Sequence, residues 1–214
     1  MDPEKFTERL HKGLSQRKFE LAKLRFMIDA DRGNGDRLNC VNRSAIVLSY
    51  AHWEGFVKEA SIKYIKYING CALKASSLRL PLQAACISSH FKRALSSDKP
   101  RYLAEILDAM DSRRQETFSI DPNKIVKTES NLSSVVFHDL VLGLGLDFLD
   151  IYETRRAFID AKLLDARNQV AHGELVSFDA GEVIERIDGV ISLIDHFSNQ
   201  LIDGVSNNVF LLDG

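Results

Sequence analysis

Arg167, Asn168 and His172 stand close together in the run Asp165-Ala166-Arg167-Asn168-Gln169-Val170-Ala171-His172-Gly173-Glu174. A guanidinium is a fixed positive fork for a phosphate. An amide positions, and an imidazole, with an ordinary pKa of about 6.5, accepts a proton near neutral pH. Together they make the equipment of a small ribonuclease, and the chemistry does not call for a metal. A catalytic trio of Arg167, Asn168 and His172 is therefore the first expectation.

The run reads as the end of an amphipathic helix. At about 100° per residue, Ile159, Leu163, Ala166 and Val170 form one apolar stripe, and Asn168 and His172 fall almost opposite it. Arg167 lies about 140° round from His172 and about 7.5 Å along the axis. One straight helix does not easily close both on a single phosphate. Either the last turn unwinds at 171–173 and Arg167 bends back, or a second copy of the chain supplies half the site, which is the favoured expectation. A plainer role exists for the same residues. Arg and His near a helix C-terminus suit its dipole, and Gly173 is a common left-handed cap.

The chain has 214 residues, enough for one well-cored domain, here read as 1–214. Its 45% hydrophobic and 27% charged residues are ordinary for a globular protein, which excludes a fibre or a disordered chain. The net charge of −2 means that a nucleic acid would have to be met by a local basic patch. No apolar run suits a membrane span, and Met1-Asp2-Pro3-Glu4-Lys5 does not open a secretory signal, so a cytoplasmic location is expected. Cys40, Cys71 and Cys86 are three in number and widely spaced, which argues against disulfides and zinc, and they read as small buried residues. The six histidines show no metal-ligand spacing. No metal and no cofactor are expected.

Helical periodicity dominates and predicts an all-α bundle. Phe6, Leu10, Leu14, Leu21, Leu24 and Ile28 mark a first helix over 1–30, ended by the turn-forming cluster 31–36. A long helix follows over about 38–69, with Ile46, Tyr50, Trp53, Val57, Ala60, Tyr64 and Ile68 as its seam. Shorter helices are predicted over 82–95 and 100–110, the second opened by Ser97 or Asp98 with Pro100 in its first turn. Residues 111–128, with charge and Pro122, read as a mobile loop. Leu132, Val135, Val136 and Leu140 then predict a short helix closed by Gly143 and Gly145. The motif helix is placed over 151–171. A last helix begins at Asp179 and carries Val183, Ile187, Val190, Ile191, Ile194, Phe197 and Leu201. No sheet is expected, and there is no glycine-rich phosphate loop, nucleophile elbow or internal repeat.

Arg167-Asn168-Gln169-Val170-Ala171-His172, with Gly173 behind it, resembles the R-x4-6-H signature of the HEPN superfamily. Two further stretches agree. Residues 49–60, from Ser49-Tyr50-Ala51-His52-Trp53-Glu54 to Ala60, resemble the long helix of a bacterial stand-alone HEPN-like nuclease group. Asn131-Leu132-Ser133-Ser134-Val135-Val136, running on to Leu144-Gly145-Leu146-Asp147, is similar to that group's approach to the motif helix. The resemblance implies a helical bundle of four to five main helices with short accessory ones. It implies a homodimer in which two motif helices meet and RNA is cut without metal in the shared cleft. Arg167 and His172 match the family's catalytic pair, and Asn168 matches the polar residue that usually follows the arginine. It also implies a toxin of a toxin–antitoxin pair or an antiviral-defence effector, with an antitoxin or defence-complex protein as partner, or a catalytically silent member.

The mechanism expected is attack by a ribose 2′-oxygen on the adjacent phosphorus, with His172 as base, Arg167 stabilising charge on the phosphoryl oxygens and a partner's His172 as acid. The products would be a 2′,3′-cyclic phosphate and a 5′-hydroxyl. Lys58, Lys63, Lys66 and Lys74, with Arg79, Tyr64 and Tyr67 among them, are candidate RNA contacts, although lysines on a long helix are often only its solvated face and Tyr64 lies on the seam. Trp53 reads as core. Glu54 is expected to pair with Arg155 or Arg156, and His52 and His138 have no identifiable partner. The rival readings are a non-catalytic helical dimer that regulates or assembles a defence or toxin complex, and a nucleotide-binding regulator.

Overall fold

The computed structural model describes residues 2–96, 99–128 and 131–212. Eight α-helices follow one another in the described residues: α1 (Pro3–Ala30), α2 (Gly35–Gly70), α3 (Leu80–Leu95), α4 (Pro100–Gln115), α5 (Ser134–Gly143), α6 (Asp150–Glu153), α7 (Ala166–Ala171) and α8 (Ala180–Ser206). Strands are absent among the described residues, and only two isolated bridges occur, Lys74 with Thr117 and Leu78 with Leu211.

The frame is made by α1, α2 and α8, whose apolar stripes face one another. Phe6, Leu10, Leu14, Leu21, Leu24 and Ile28 of α1 are buried, as is every residue of the expected seam of α2. Caps fix where these helices begin. Asp2 accepts from the Glu4 N–H ahead of α1, Asn34 from Arg37 ahead of α2, and Asp179 from Gly181 and Glu182 ahead of α8. Ion pairs between helices, Arg25 to Asp188 at 2.8 Å and Lys18 to Asp195 at 2.6 Å, join α1 to α8. They are exposed pairs and contribute little beside the apolar contact.

Phe137 is the hub where the smaller helices meet the frame. Its ring lies 4.9 Å from Trp53, 5.0 Å from Tyr152 and 5.5 Å from Phe197 in edge-on contacts, so α5, α6, α2 and α8 share one aromatic cluster. Trp53 is fully buried, as expected. α3 and α4 form a hairpin packed chiefly on itself, joined to the frame through α5 and the 3-10 turn Ala75–Ser77.

Several elements depart from the sequence pattern. Leu132 precedes α5, whose cap is Ser133. α4 continues to Gln115, so residues 111–115 of the expected loop are helical, and the Ser97/Asp98 start lies outside the described residues. The remainder of that loop is anchored. Phe118 donates to the Leu73 carbonyl at 2.7 Å, Asn69 clamps both backbone groups of Ile120, and Phe118, Ile120 and Val126 are buried. Cys40 is exposed, and Cys71, at the C-terminal cap of α2, and Cys86 are only partly buried against the edge of the core.

The largest departure is in the motif helix. In place of one α-helix over 151–171, the chain turns at 154–155 and runs as a π-helix over Phe158–Asp165 before α7 resumes α geometry. A π-helix bonds i to i+5 and changes the angular register of everything after it. Two long-range contacts hold it. Asp160 caps α5, accepting from the Ser134 N–H at 2.7 Å and the Ser134 hydroxyl at 2.6 Å. Phe158 packs against α8 where Gly189 leaves no side chain, and a Cβ there would overlap the ring. Gly189→Ala is therefore expected to destabilise the fold by about 1–3 kcal/mol, measured by denaturant unfolding, with Phe158→Leu in the same chain recovering part of the loss.

Candidate functional site

α7 lies on the N-terminal half of α2, and the site is built where the two meet. Arg167 is half-buried. Its guanidinium carbon sits 4.3 Å from the centre of the Tyr50 ring, and its Nη2 donates to Asn131 Oδ1 at 3.2 Å. Tyr50, on the buried seam of α2, accepts the Leu132 N–H on its hydroxyl at 2.6 Å. Burial raises the Tyr50 phenol above its ordinary value, against the opposing effects of the Leu132 N–H and of Arg167. The motif arginine is thus set on a rigid aromatic surface and tied to the segment that leads into α5.

His172 is the C-terminal cap residue of α7 and is exposed. Gly173 follows at φ +79, the Glu174 N–H bonds to Gln169 O at 3.0 Å and the Gly173 N–H to Val170 O at 3.1 Å. That pair of bonds is a Schellman cap. The last turn is closed, so the unwinding that would bring Arg167 and His172 together within one chain is not what the structure adopts. Asn168 is half-buried on the same face as His172, whose backbone N–H it accepts on its carbonyl at 2.9 Å. Among the described residues, neither the Asn168 nor the His172 side chain has a hydrogen-bond partner.

Beyond the cap the chain is tied back to α2. Arg43 donates to the carbonyls of Glu174 and Val176, and Asn42 donates to the Phe178 carbonyl at 2.8 Å. Beside the α7 tip lies an apolar hollow lined by Cys40, Arg43, Ser44, Val47, Leu48 and Val170. Leu48 is 44% exposed and Leu175, three residues beyond His172, is fully exposed.

The other sequence-derived candidates are scattered. Lys63 and Lys66 lie about 20 and 24 Å along α2 from Tyr50, and Lys74 lies beyond the end of that helix. Lys58, Lys66 and Lys74 are exposed, whereas Lys63 is bound to Glu59 at 2.7 Å and to the Arg9 carbonyl at 3.1 Å. Arg79 is engaged by Asp147 at 2.9 Å, and Tyr64 and Tyr67 are buried, so neither ring is free to stack on a base. Glu54 forms no ion pair among the described residues. Arg156 bonds Glu153, and Arg155 lies over Phe158. His52 does have a partner, Glu20 at 3.2 Å, and His138 meets Asp139 at 3.4 Å and the Phe148 ring. No three His, Cys, Asp or Glu side chains cluster as a metal site among the described residues. No helix is long and apolar enough to cross a membrane there either.

The sequence profile of the RiboL-PSP-HEPN family matches residues 14–203. The chain belongs to the RiboL-PSP-HEPN family. The match includes α2, the approach segment and the whole motif, so the HEPN resemblance carried by residues 49–60, 131–136 and 167–173 extends over nearly the full bundle. HEPN membership points to nuclease-like or RNA-related function. No curated protein and no solved structure matches the chain.

Sequence reasoning missed the supports of this HEPN motif: Asn131 and Tyr50 under Arg167, Asp160 in the π segment, and Asn42 and Arg43 behind the cap. One signal was visible for Tyr50, a hydroxyl on a mostly apolar seam, where burial favours finding a partner. A backbone test of the cap follows from Gly173, where nothing lies within 4 Å of an added Cβ. Gly173→Ala is expected to cost about 1–2 kcal/mol from the left-handed conformation alone, read by thermal unfolding, while Gly173→Asn costs less.

Proposed function

We propose that the protein is a metal-independent endoribonuclease whose site is completed by a second copy of the chain, acting as a toxin or antiviral-defence effector. The observation that carries this reading is the divergence of the motif pair. Arg167 is held inward on Tyr50 and Asn131, and His172 stands outward on an intact cap beside an apolar hollow. A second copy seated on that hollow would bury Leu48 and Leu175 and bring its own His172 and Arg167 to the same cleft, which is the isologous geometry of a two-fold dimer.

In that cleft His172 takes the proton of a ribose 2′-hydroxyl, the oxygen attacks the neighbouring phosphorus and the bond to the 5′-oxygen breaks. The partner's His172 gives that oxygen its proton. Arg167 meets the charge that develops on the non-bridging oxygens, and Asn168 orients the phosphate or the imidazole. The fragments end in a 2′,3′-cyclic phosphate and a 5′-hydroxyl. Lys58, Lys63, Lys66 and Lys74 enter this reading as a distant track for a longer strand, and binding through them would weaken steeply with salt.

A second reading has an observation of its own. Both motif residues have structural tasks, His172 as a cap and Arg167 as a bridge between α7, α2 and the approach segment, so a silent HEPN dimer that assembles with an antitoxin or defence protein would keep them as well. Expression separates the two. Growth arrest abolished by Arg167→Ala supports the nuclease, and harmless expression of the wild type with intact partner binding supports the silent module.

Purified protein incubated with total RNA and a chelator is expected to yield cyclic-phosphate ends, and His172→Ala to yield none. Retention of cleavage by His172→Ala, or a requirement for a divalent cation, overturns the mechanism. Subunit sharing is read by mixing. After subunit exchange with an equal amount of His172→Ala, a fixed amount of wild type is expected to lose about half its activity, and an undiminished rate would place the whole site in one chain.

A further inference from the structure

We infer that Asn131 is a positioning residue for Arg167, and that the segment Asn131–Ser134 is a third component of the site alongside the two motif residues. The inference rests on the nuclease reading for its catalytic consequence, but its geometry stands independently of that reading.

The backbone of this segment is bonded without help from the Asn131 side chain. The Asn131 N–H bonds to Thr128 O at 2.9 Å, the Ser133 N–H to Asn131 O at 2.8 Å, the Leu132 N–H to Tyr50 Oη at 2.6 Å and the Ser134 N–H to Asp160 Oδ1 at 2.7 Å. The segment is thereby fastened to α2 on one side and to the π-helix on the other. Among the described residues, the Asn131 carboxamide has one hydrogen-bond partner, and it is the Arg167 guanidinium. A side chain whose loop is already secure, and which bonds only the motif arginine, has orientation of that arginine as its task.

Two of the contacts of Arg167 divide the work. The Tyr50 ring, 4.3 Å from the guanidinium carbon, restricts the plane in which the group lies. Asn131 Oδ1, at 3.2 Å from Nη2, fixes the rotation and so decides which N–H edge faces the cleft. A carboxamide also accepts this bond while adding no negative charge of its own. A carboxylate in that place would compete with a phosphate for the same cation. The acidic Asp160, by contrast, is spent on the Ser134 cap.

The test uses the full chain with Asn131→Ala and Asn131→Asp, each compared with wild type for unfolding midpoint, single-turnover cleavage, binding of an RNA blocked at the 2′-hydroxyl, and the 15N-detected guanidinium signal of Arg167, assigned by its loss in Arg167→Lys. Asn131→Ala is expected to unfold near the wild-type midpoint, to shift the Arg167 signal and to lower the cleavage rate about ten- to a hundredfold with little change in KM. Asn131→Asp is expected to restore a hydrogen-bonded Arg167 signal without restoring cleavage, and to bind the blocked RNA more weakly than wild type. Wild-type cleavage by Asn131→Ala, an unmoved Arg167 signal, or full activity in Asn131→Asp overturns the inference. If the wild type itself cleaves no RNA, the nuclease reading falls, and the Arg167 signal still decides the positioning role.

Discussion

Backbone groups that leave regular structure must find partners elsewhere, and both flanks of the motif find them on α2. Before the motif, the Leu132 N–H is taken by Tyr50. After it, the carbonyls of Glu174, Val176 and Phe178 are taken by Arg43 and Asn42. One helix thus carries hydroxyl, guanidinium and amide groups along a mostly apolar seam, and those groups hold the short α7 in place. A helix of six residues has no stability of its own. Its position is borrowed from α2, which is itself fixed by α1 and α8.

This arrangement separates the two jobs of the motif. Arg167 is stationed by side chains, and its surroundings restrict both its plane and its rotation. His172 is stationed only by the backbone, at a cap that presents the ring to solvent. For the proposed nuclease, a preorganised cation beside a base free to meet a second surface would suit a cleft that closes on assembly, since electrostatic stabilisation depends on donors that need not reorganise. On the proposed reading the HEPN bundle supplies the stiffness and a second copy of the chain the remaining geometry.

Much of the bundle was legible in the sequence for one reason: α1, α2 and α8 bury long stripes of large apolar residues, and a stripe repeated over many turns dictates both helix and facing side. Phe6 to Ile28, Ile46 to Ile68 and Val183 to Leu201 left few alternatives. The motif residues were legible as chemistry, through their types and spacing. Their supports were not. Phe158 against Gly189, Asp160 on Ser134 and Arg167 on Tyr50 join residues far apart in the chain, and an ideal 100° wheel has no means of announcing a π-helix that such contacts impose. The lysines of α2 erred the other way. Nearness in sequence suggested one patch, but a rigid helix spreads Lys58 to Lys74 along its length and past its end, and burial removes the two tyrosines that seemed to accompany them.

The π-helix over Phe158–Asp165 also makes the winding between α6 and α7 set the direction in which Arg167 points. A wide turn holds a surplus residue relative to an α-helix, so loss of any one residue from it would let the segment relax to ordinary α winding without breaking the bundle. Because the wide turn already absorbs that residue, such a loss would leave the downstream face near its present direction, whereas α winding at the present length would turn everything that follows by about 100° and swing the guanidinium off the phenol. A descendant with the same motif and the same chain length, but an ordinary helix in place of the wide turn, would therefore be a fold that has kept its signature and lost its aim.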